Sequence, residues 1–188
     1  MSTHSFKQLA PTDHFTSWHA HYLTAYEHLF RRASEDFGTV LEIGCDGGGG
    51  ILTYADWVAS YGNPKAINRN YVSCDIAPRP PSLDLNPAIS HHQIDAYKPE
   101  SVAMLEMYAP FVIQIDDGPH TLGSQIFFAQ NFPKMLSENG IAIIEDVQKT
   151  EHIPQLHGAL PPGFVGFAVD LRFTDDRYDS SLFVIQRA

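Results

Sequence analysis

Asp116, Asp117 and His120 fall within five residues of one another, in the segment 110–120, PFVIQIDDGPH. Two acids and an imidazole so close form a compact set of oxygen and nitrogen donors. Such a set suits a divalent ion, or a general base working beside one. A second pair, Glu145 and Asp146, ends the segment GIAIIED at 140–146. Asp46, Asp75 and Asp95 complete a series of acids, each at the end of a short apolar run. Taken singly, each acid has a competing reading as a loop cap, and His120 as a residue that only hydrogen-bonds its own loop. Taken together, the acids converge on one rim if the runs are neighbouring strands of a parallel sheet. An acidic rim repels itself without a cation, and carboxylate oxygens suit Mg²⁺, Mn²⁺ or Ca²⁺.

The elements that must position these residues follow from apolar spacing. Phe15, Trp18, Tyr22, Leu29 and Ala33 recur at helical intervals over 12–33, with Thr12 or Asp13 as cap, after a loose tail at 1–11. His14, His21 and His28 share that helix, but seven-residue spacing is two turns, too far apart to share an ion. Val40 to Ile43 reads as a strand, followed by a glycine-rich loop at 44–50 and helical spacing from Ile51. Such a loop lets backbone approach a ligand and opens a helix N-terminus toward it, and it also fits a plain tight turn. Tyr71 to Ile76 and Ile89 to Ile94 are the next strands, ending on Asp75 and Asp95. An acid after the second strand is the usual device for a ribose diol. Pro99 to Tyr108 reads as a short helix. Phe111, Val112, Ile113 and Ile115 form a buried strand interrupted by the polar Gln114. Leu122 to Leu136 reads as a helix that Pro133 kinks or ends. Asn139-Gly140 predicts a turn before a fifth strand at Ile141 to Ile144, and the prolines of 151–163 predict a loop or broken helix over the site. Phe164 to Phe173 and Leu182 to Gln186 predict a closing hairpin. The pattern is α/β: a doubly wound, Rossmann-like sheet of seven strands, mostly parallel, with a C-terminal antiparallel hairpin, in one domain spanning 12–188.

Composition narrows the partners. The net charge of −10 argues against nucleic acid and against anionic membrane surfaces. No apolar run approaches the roughly 20 residues of a membrane span. The segment MSTHSFKQLAP lacks an apolar signal core, and Cys45 and Cys74 do not form a disulfide framework. A cytoplasmic protein with reduced, packed thiols is expected.

Five motifs in order, LEIGCDGGGG (41–50), CDI (74–76), QIDA (93–96), IDDGPH (115–120) and GIAIIEDV (140–147), resemble the class I S-adenosylmethionine-dependent methyltransferases. The IDDG-x-H and IED pair is more specific. It is similar to the metal-dependent sugar O-methyltransferases of macrolide biosynthesis, of the mycinamycin and macrocin types, and to relatives often labelled cephalosporin hydroxylase. The resemblance covers roughly residues 40–147. It implies that Glu42, Gly44, Cys45, Asp46 and Gly48 wrap the methionine part of the cofactor. Asp75 would hold the ribose hydroxyls, with Ile76 beside the adenine and Asp95 and Ala96 at its edge. It implies Asp117, Glu145 and Asp146 as metal ligands, His120 as general base, Asp117 in the catalytic set and Asp116 on the cofactor side. Strand alternation alone puts Asp116 and Asp117 on opposite faces without choosing between them. The chain departs from the family in Pro119, where a small Ser is usual, in Gln114, and in lacking long substrate-recognition insertions. Those insertions shape the acceptor pocket and can support oligomers, so acceptor and oligomeric state stay undefined.

The chemistry implied is methyl transfer from S-adenosylmethionine to a sugar or other polyhydroxylated small molecule, with Mg²⁺ lowering the hydroxyl's pKa and His120 accepting its proton. Rival readings are a metal-independent methyltransferase on another acceptor and a non-catalytic S-adenosylmethionine-binding module. A dinucleotide oxidoreductase is disfavoured, because GCDGGGG is not the G-x-G-x-x-G spacing.

Overall fold

The computed structural model describes residues 25, 26, 28–30, 33, 38–46, 48, 50, 51, 54, 55, 70–172 and 178–188. The tail, the predicted cap at Thr12 or Asp13, Phe15, Trp18, Tyr22, His14 and His21 lie outside these residues. Ala25, Tyr26, His28, Leu29, Phe30 and Ala33 are helical, and so are Gly50, Ile51, Tyr54 and Ala55.

In chain order the regular elements are β1 (Thr39–Ile43), β2 (Tyr71–Asp75), β3 (Ile89–Gln93), α1 (Pro99–Leu105), β4 (Phe111–Asp116), α2 (Leu122–Asn131), β5 (Leu136–Ile144), α3 (His152–Ala159), β6 (Phe164–Asp170) and β7 (Ser181–Arg187). They build one seven-stranded sheet of order β3-β2-β1-β4-β5-β7-β6. The first five strands pair in parallel, and β7 is antiparallel to both β5 and β6. The chain winds outward from β1 to β3, then restarts at β4 on the other side of β1. The crevice where that reversal occurs is where doubly wound sheets take ligands.

Both faces are covered, so the central strands carry apolar residues on both sides rather than alternating. Val40, Ile113, Ile141, Ile143 and Val184 pack on one face with Tyr26, Phe30, Ile51 and Tyr54. Leu41, Ile43, Ala142, Ile144 and Phe183 pack on the other with Phe128, Phe132 and Leu156 from α2 and α3. Gln114 lies on this second face; its Nε2 donates to the Phe132 carbonyl at 3.0 Å and ties β4 to the end of α2. Among the described residues, no helix is long and apolar enough to cross a membrane.

The structure revises two expectations, at Asn139-Gly140 and at 151–163, and bears out the early end of the helix before Pro133. Asn139 and Gly140 lie inside β5, not in a turn before it. The β4–β5 register shifts between Phe111, opposite Leu136, and Ile113, opposite Ile141, so the extra residues form an irregularity within the strand. A Cβ on Gly140 would come within 2.7 Å of the Phe111 carbonyl oxygen, so the glycine serves close backbone approach. Next, α2 stops at Asn131 and Pro133 opens a 3₁₀ turn to Met135, because proline has no N–H to continue the helix. The proline-containing segment 151–163 holds a regular helix, α3, since Pro154 falls in its first turn where an N–H would lack a helical acceptor.

Candidate active site

The strand ends β1 to β3 are organised by backbone amides. Glu42, 2% exposed, lies beneath the glycine-rich loop and accepts the Ile51 N–H at 3.0 Å. A side chain at Gly50 would collide with the Glu42 carboxylate. Burial, then the charge of Asp117, pushes the Glu42 carboxyl well above its ordinary range. Gly44, at φ +82°, donates to the Cys74 carbonyl at 2.9 Å, and any Cβ there would run into the Asp117 carbonyl oxygen. Only glycine lets β1 approach the β4 turn so closely. Asp75 accepts the Asp46 N–H at 3.2 Å on one carboxylate oxygen and the Ala77 N–H at 2.8 Å on the other. Beside it Ile76 is 76% exposed, an apolar surface with no covering residue. Asp95 accepts the Tyr97 N–H at 3.0 Å and faces Lys98 at 3.6 Å. Cys45 turns away from this rim toward His91, 3.6 Å from Nδ1, and burial pushes its thiol up to about 12. Thiols so protonated are poor nucleophiles.

The ends of β4 and β5 are organised by side chains. His120 stands between two acids: its Nε2 is 3.0 Å from Asp117 Oδ1 and its Nδ1 3.7 Å from Asp146 Oδ2. Hydrogen bonding to Asp117 raises the imidazole pKa against the opposing effect of burial. Donor atoms of Asp117, His120 and Asp146 all lie within 4.8 Å of one another. Glu145 lies outside that group. Its carboxylate is buried and accepts the Tyr26 hydroxyl, with the Tyr54 hydroxyl at 3.5 Å. Burial first, then Asp117, pushes Glu145 well above the carboxylate range. Asp116 points to the opposite face from Asp117, as alternation requires, and accepts the Tyr97 hydroxyl. Burial raises its carboxyl to about 7, with the Tyr97 hydrogen bond opposing the rise. His120 (φ +53°), Asp146 (φ +50°) and Asp46 (φ +39°) are the described non-glycine residues at positive φ, and all three sit on this rim. Such backbone costs of order 1–3 kcal/mol each and collects at functional sites.

A cavity of about 450 Å³ runs along the rim. Gly44, Asp46, Asp75, Ile76, Asp95 and Ala96 line it, and so do Asp117, Gly118 and Pro119 at the β4 turn. Glu42, Cys45, Gly48 and Asp116 do not line it, nor do His120, Glu145 and Asp146. Sequence reasoning missed three residues here. Tyr97 lines the cavity and holds Asp116. Gln125, 1% exposed, donates to the Glu145 and Asp146 carbonyls at 3.2 and 3.4 Å. Tyr26 holds Glu145. A polar residue on the apolar stripe of α2 was the available signal for Gln125. Nothing local marks the tyrosines, whose partners are 19 and 119 residues away.

The donor set fits a divalent cation. The Asp117 and Asp146 carboxylates converge beside the His120 imidazole, with one donor atom of each residue within 4.8 Å of the others, and His120 and Asp146 are held at positive φ.

Neither a protein-family model nor a curated protein matches the chain. Solved structures do. The MycE methyltransferase from the mycinamycin biosynthetic pathway, in complex with Mg, SAH and mycinamycin VI, superposes with TM-score 0.70 at 16% identity, over 98% of this chain and 55% of that one. This chain thus spans about half the length of that protein. A TDP-rhamnose 3′-O-methyltransferase of calicheamicin biosynthesis matches with TM-score 0.61 at 13% identity, over 89% of this chain and 79% of that chain. A candidate rRNA methylase from Clostridium thermocellum matches with TM-score 0.61 at 15% identity, over 87% and 94%. At these identities the likeness is one of architecture, and it agrees with the strand order and the antiparallel hairpin: the chain has the class I S-adenosylmethionine-dependent methyltransferase fold.

Proposed function

We propose that the protein is an S-adenosylmethionine-dependent methyltransferase that methylates a hydroxyl of a sugar or other polyhydroxylated small molecule with the help of a divalent ion, Mg²⁺ by preference. The observation that carries this reading is the continuity of the cavity with the donor cluster: Asp117 belongs to both. The small-molecule methyltransferases among the structural neighbours support the acceptor class. The net charge of −10 weighs against an RNA acceptor, which the rRNA methylase neighbour would suggest.

Asp75, oriented by two backbone amides, accepts the ribose hydroxyls. Ile76 and Ala96 give apolar contact to the adenine, with Asp95 at its edge. Gly44 and Asp46 bring backbone against the methionine portion, with Cys45, Gly48 and Glu42 shaping the loop behind. Asp117 and Asp146 hold the ion, while Glu145, tied to Tyr26, stands outside the cluster. When bound, the cofactor supplies an electrophilic methyl and the ion lowers the pKa of an acceptor hydroxyl. His120 takes the hydroxyl proton. Its contact with Asp117 orients the imidazole for that transfer.

The test is calorimetric titration of S-adenosylhomocysteine into the chain, followed by transfer of labelled methyl from S-adenosylmethionine to a panel of glycosides with Mg²⁺ or with EDTA. Binding in the micromolar range and EDTA-sensitive transfer are expected. No binding of S-adenosylhomocysteine under any condition would overturn the cofactor assignment. Transfer insensitive to EDTA would overturn the role of the ion.

A further inference from the structure

Tyr97 touches both halves of the rim. Its N–H donates to Asp95 at 3.0 Å, which fixes the residue directly after Ala96 in the cavity wall. Its ring lines the cavity and packs edge-on against Phe127 of α2, centroids 6.2 Å apart. The hydroxyl then reaches across to the end of β4 and donates to Asp116. It also lies over Gly118: a Cβ there would overlap the hydroxyl oxygen and come within 2.9 Å of the ring carbon that bears it. The main chain of the same turn is already tied on both sides. The Asp117 N–H donates to the Ile43 carbonyl at 2.9 Å, and the Glu145 N–H to the Asp116 carbonyl at 3.0 Å. Tyr97 adds the side-chain tie, from the part of the wall formed by Asp95 and Ala96.

We infer that Tyr97 is a positioning residue that couples ligand occupancy at the Asp95–Ala96 end of the cavity to ion binding at Asp117, by holding the Asp116–Gly118 turn through its hydroxyl. The inference rests on the proposed function and adds a regulatory link within that site. A ligand packed against Ala96 and Tyr97 adds contacts to the ring in the position that puts its hydroxyl on Asp116. That hydroxyl holds Asp116, and the next residue along the chain is the ion ligand Asp117. By linkage the effect is reciprocal: each ligand tightens the other by the same factor.

The experiment titrates S-adenosylhomocysteine into the full chain, stripped with EDTA or saturated with Mg²⁺, and titrates Mg²⁺ with and without S-adenosylhomocysteine. This ligand lacks the sulfonium, so repulsion between the ion and a sulfonium charge does not enter. In the wild type, Mg²⁺ is expected to tighten S-adenosylhomocysteine by about fivefold or more, and the reverse titration to give the same factor. Tyr97→Phe is expected to bind both ligands with a factor within about twofold of one, since only the hydroxyl is lost. Asp116→Asn, which keeps an acceptor, is expected to retain the wild-type factor, and Asp116→Ala to lose it. That second pair reads the same contact should Tyr97→Phe not fold. Both ligands binding to Tyr97→Phe with the wild-type factor would overturn this inference alone, as would a wild-type factor of one. No binding of S-adenosylhomocysteine by the wild type would overturn the proposed function and the inference together. Binding without any Mg²⁺ response would overturn the ion's role and the inference while leaving the cofactor assignment standing.

Discussion

The two halves of the rim hold their acids in different ways. At the ends of β1 to β3, Glu42, Asp75 and Asp95 each accept at least one backbone N–H. At the ends of β4 and β5, Asp117 and Asp146 face the imidazole of His120, while Asp116 and Glu145 accept tyrosine hydroxyls. Carboxylates oriented by peptide groups present their remaining lone pairs in a fixed direction, which suits neutral ligand hydroxyls. Carboxylates gathered around one another store repulsion that a cation relieves. Under the proposed function the first is the binding half and the second the chemical half, joined at Asp117, the one residue of the donor cluster that lines the cavity.

The largest effect should come from the chemical half. His120→Ala should lower kcat by about 10²–10⁴-fold, the usual worth of a positioned general base, while S-adenosylhomocysteine affinity stays within about twofold of wild type. Full turnover in this variant would erase the division between the halves. In the binding half, Gly44→Ala should cost about 1–3 kcal/mol in S-adenosylhomocysteine affinity, roughly 5–150-fold, because alanine at φ +82° is strained and meets the Asp117 carbonyl. Wild-type affinity measured by calorimetry would show that β1 need not approach the β4 turn so closely.

A third experiment concerns Glu42. Its folded-state pKa lies well above the ordinary 4.5, so the folded chain keeps a proton that the unfolded chain releases. Stability from this group is therefore full below pH 4.5 and is lost as pH rises from there toward the raised value. The slope for one proton is at most about 1.4 kcal/mol per pH unit. Glu42→Gln removes that slope, so urea unfolding in EDTA at pH 5, 6 and 7 should show the variant gaining on the wild type as pH rises. Parallel curves would show that the carboxyl is not held protonated. The smallest effect belongs to Ile76→Ala. This side chain is 76% exposed, so melting temperature should hardly move while S-adenosylhomocysteine affinity falls by about 1 kcal/mol, roughly fivefold, from lost apolar contact. An unchanged affinity would remove Ile76 from the ligand surface.

Much of this division was legible before any coordinates. Phe111 to Ile115, Gln114 apart, and Ile141 to Ile144 are apolar because the sheet is covered on both faces, and runs of that kind mark parallel strands whatever their neighbours. Parallel strands share one carboxyl end, so an acid after each run places the rim. Glu42, the glycines and Asp75 could be read the same way, because a strand, a tight turn and a helix start are local in the chain. Asn139-Gly140 misled, since the dipeptide that makes a turn also permits a close approach, and only the pairing with Phe111 separates the two.

What the sequence by itself determined, then, is the α/β layering, the order in which acids arrive at the rim and the acidity that argues against nucleic acid. These depend on periodicity and charge, which neighbouring residues carry. The tertiary structure decided which groups meet. It gathered Asp117 and Asp146 around His120, put Glu145 under Tyr26, and set Tyr97 between the two halves. Those contacts join residues far apart in the chain through sheet register and backbone at positive φ, which no local spacing encodes.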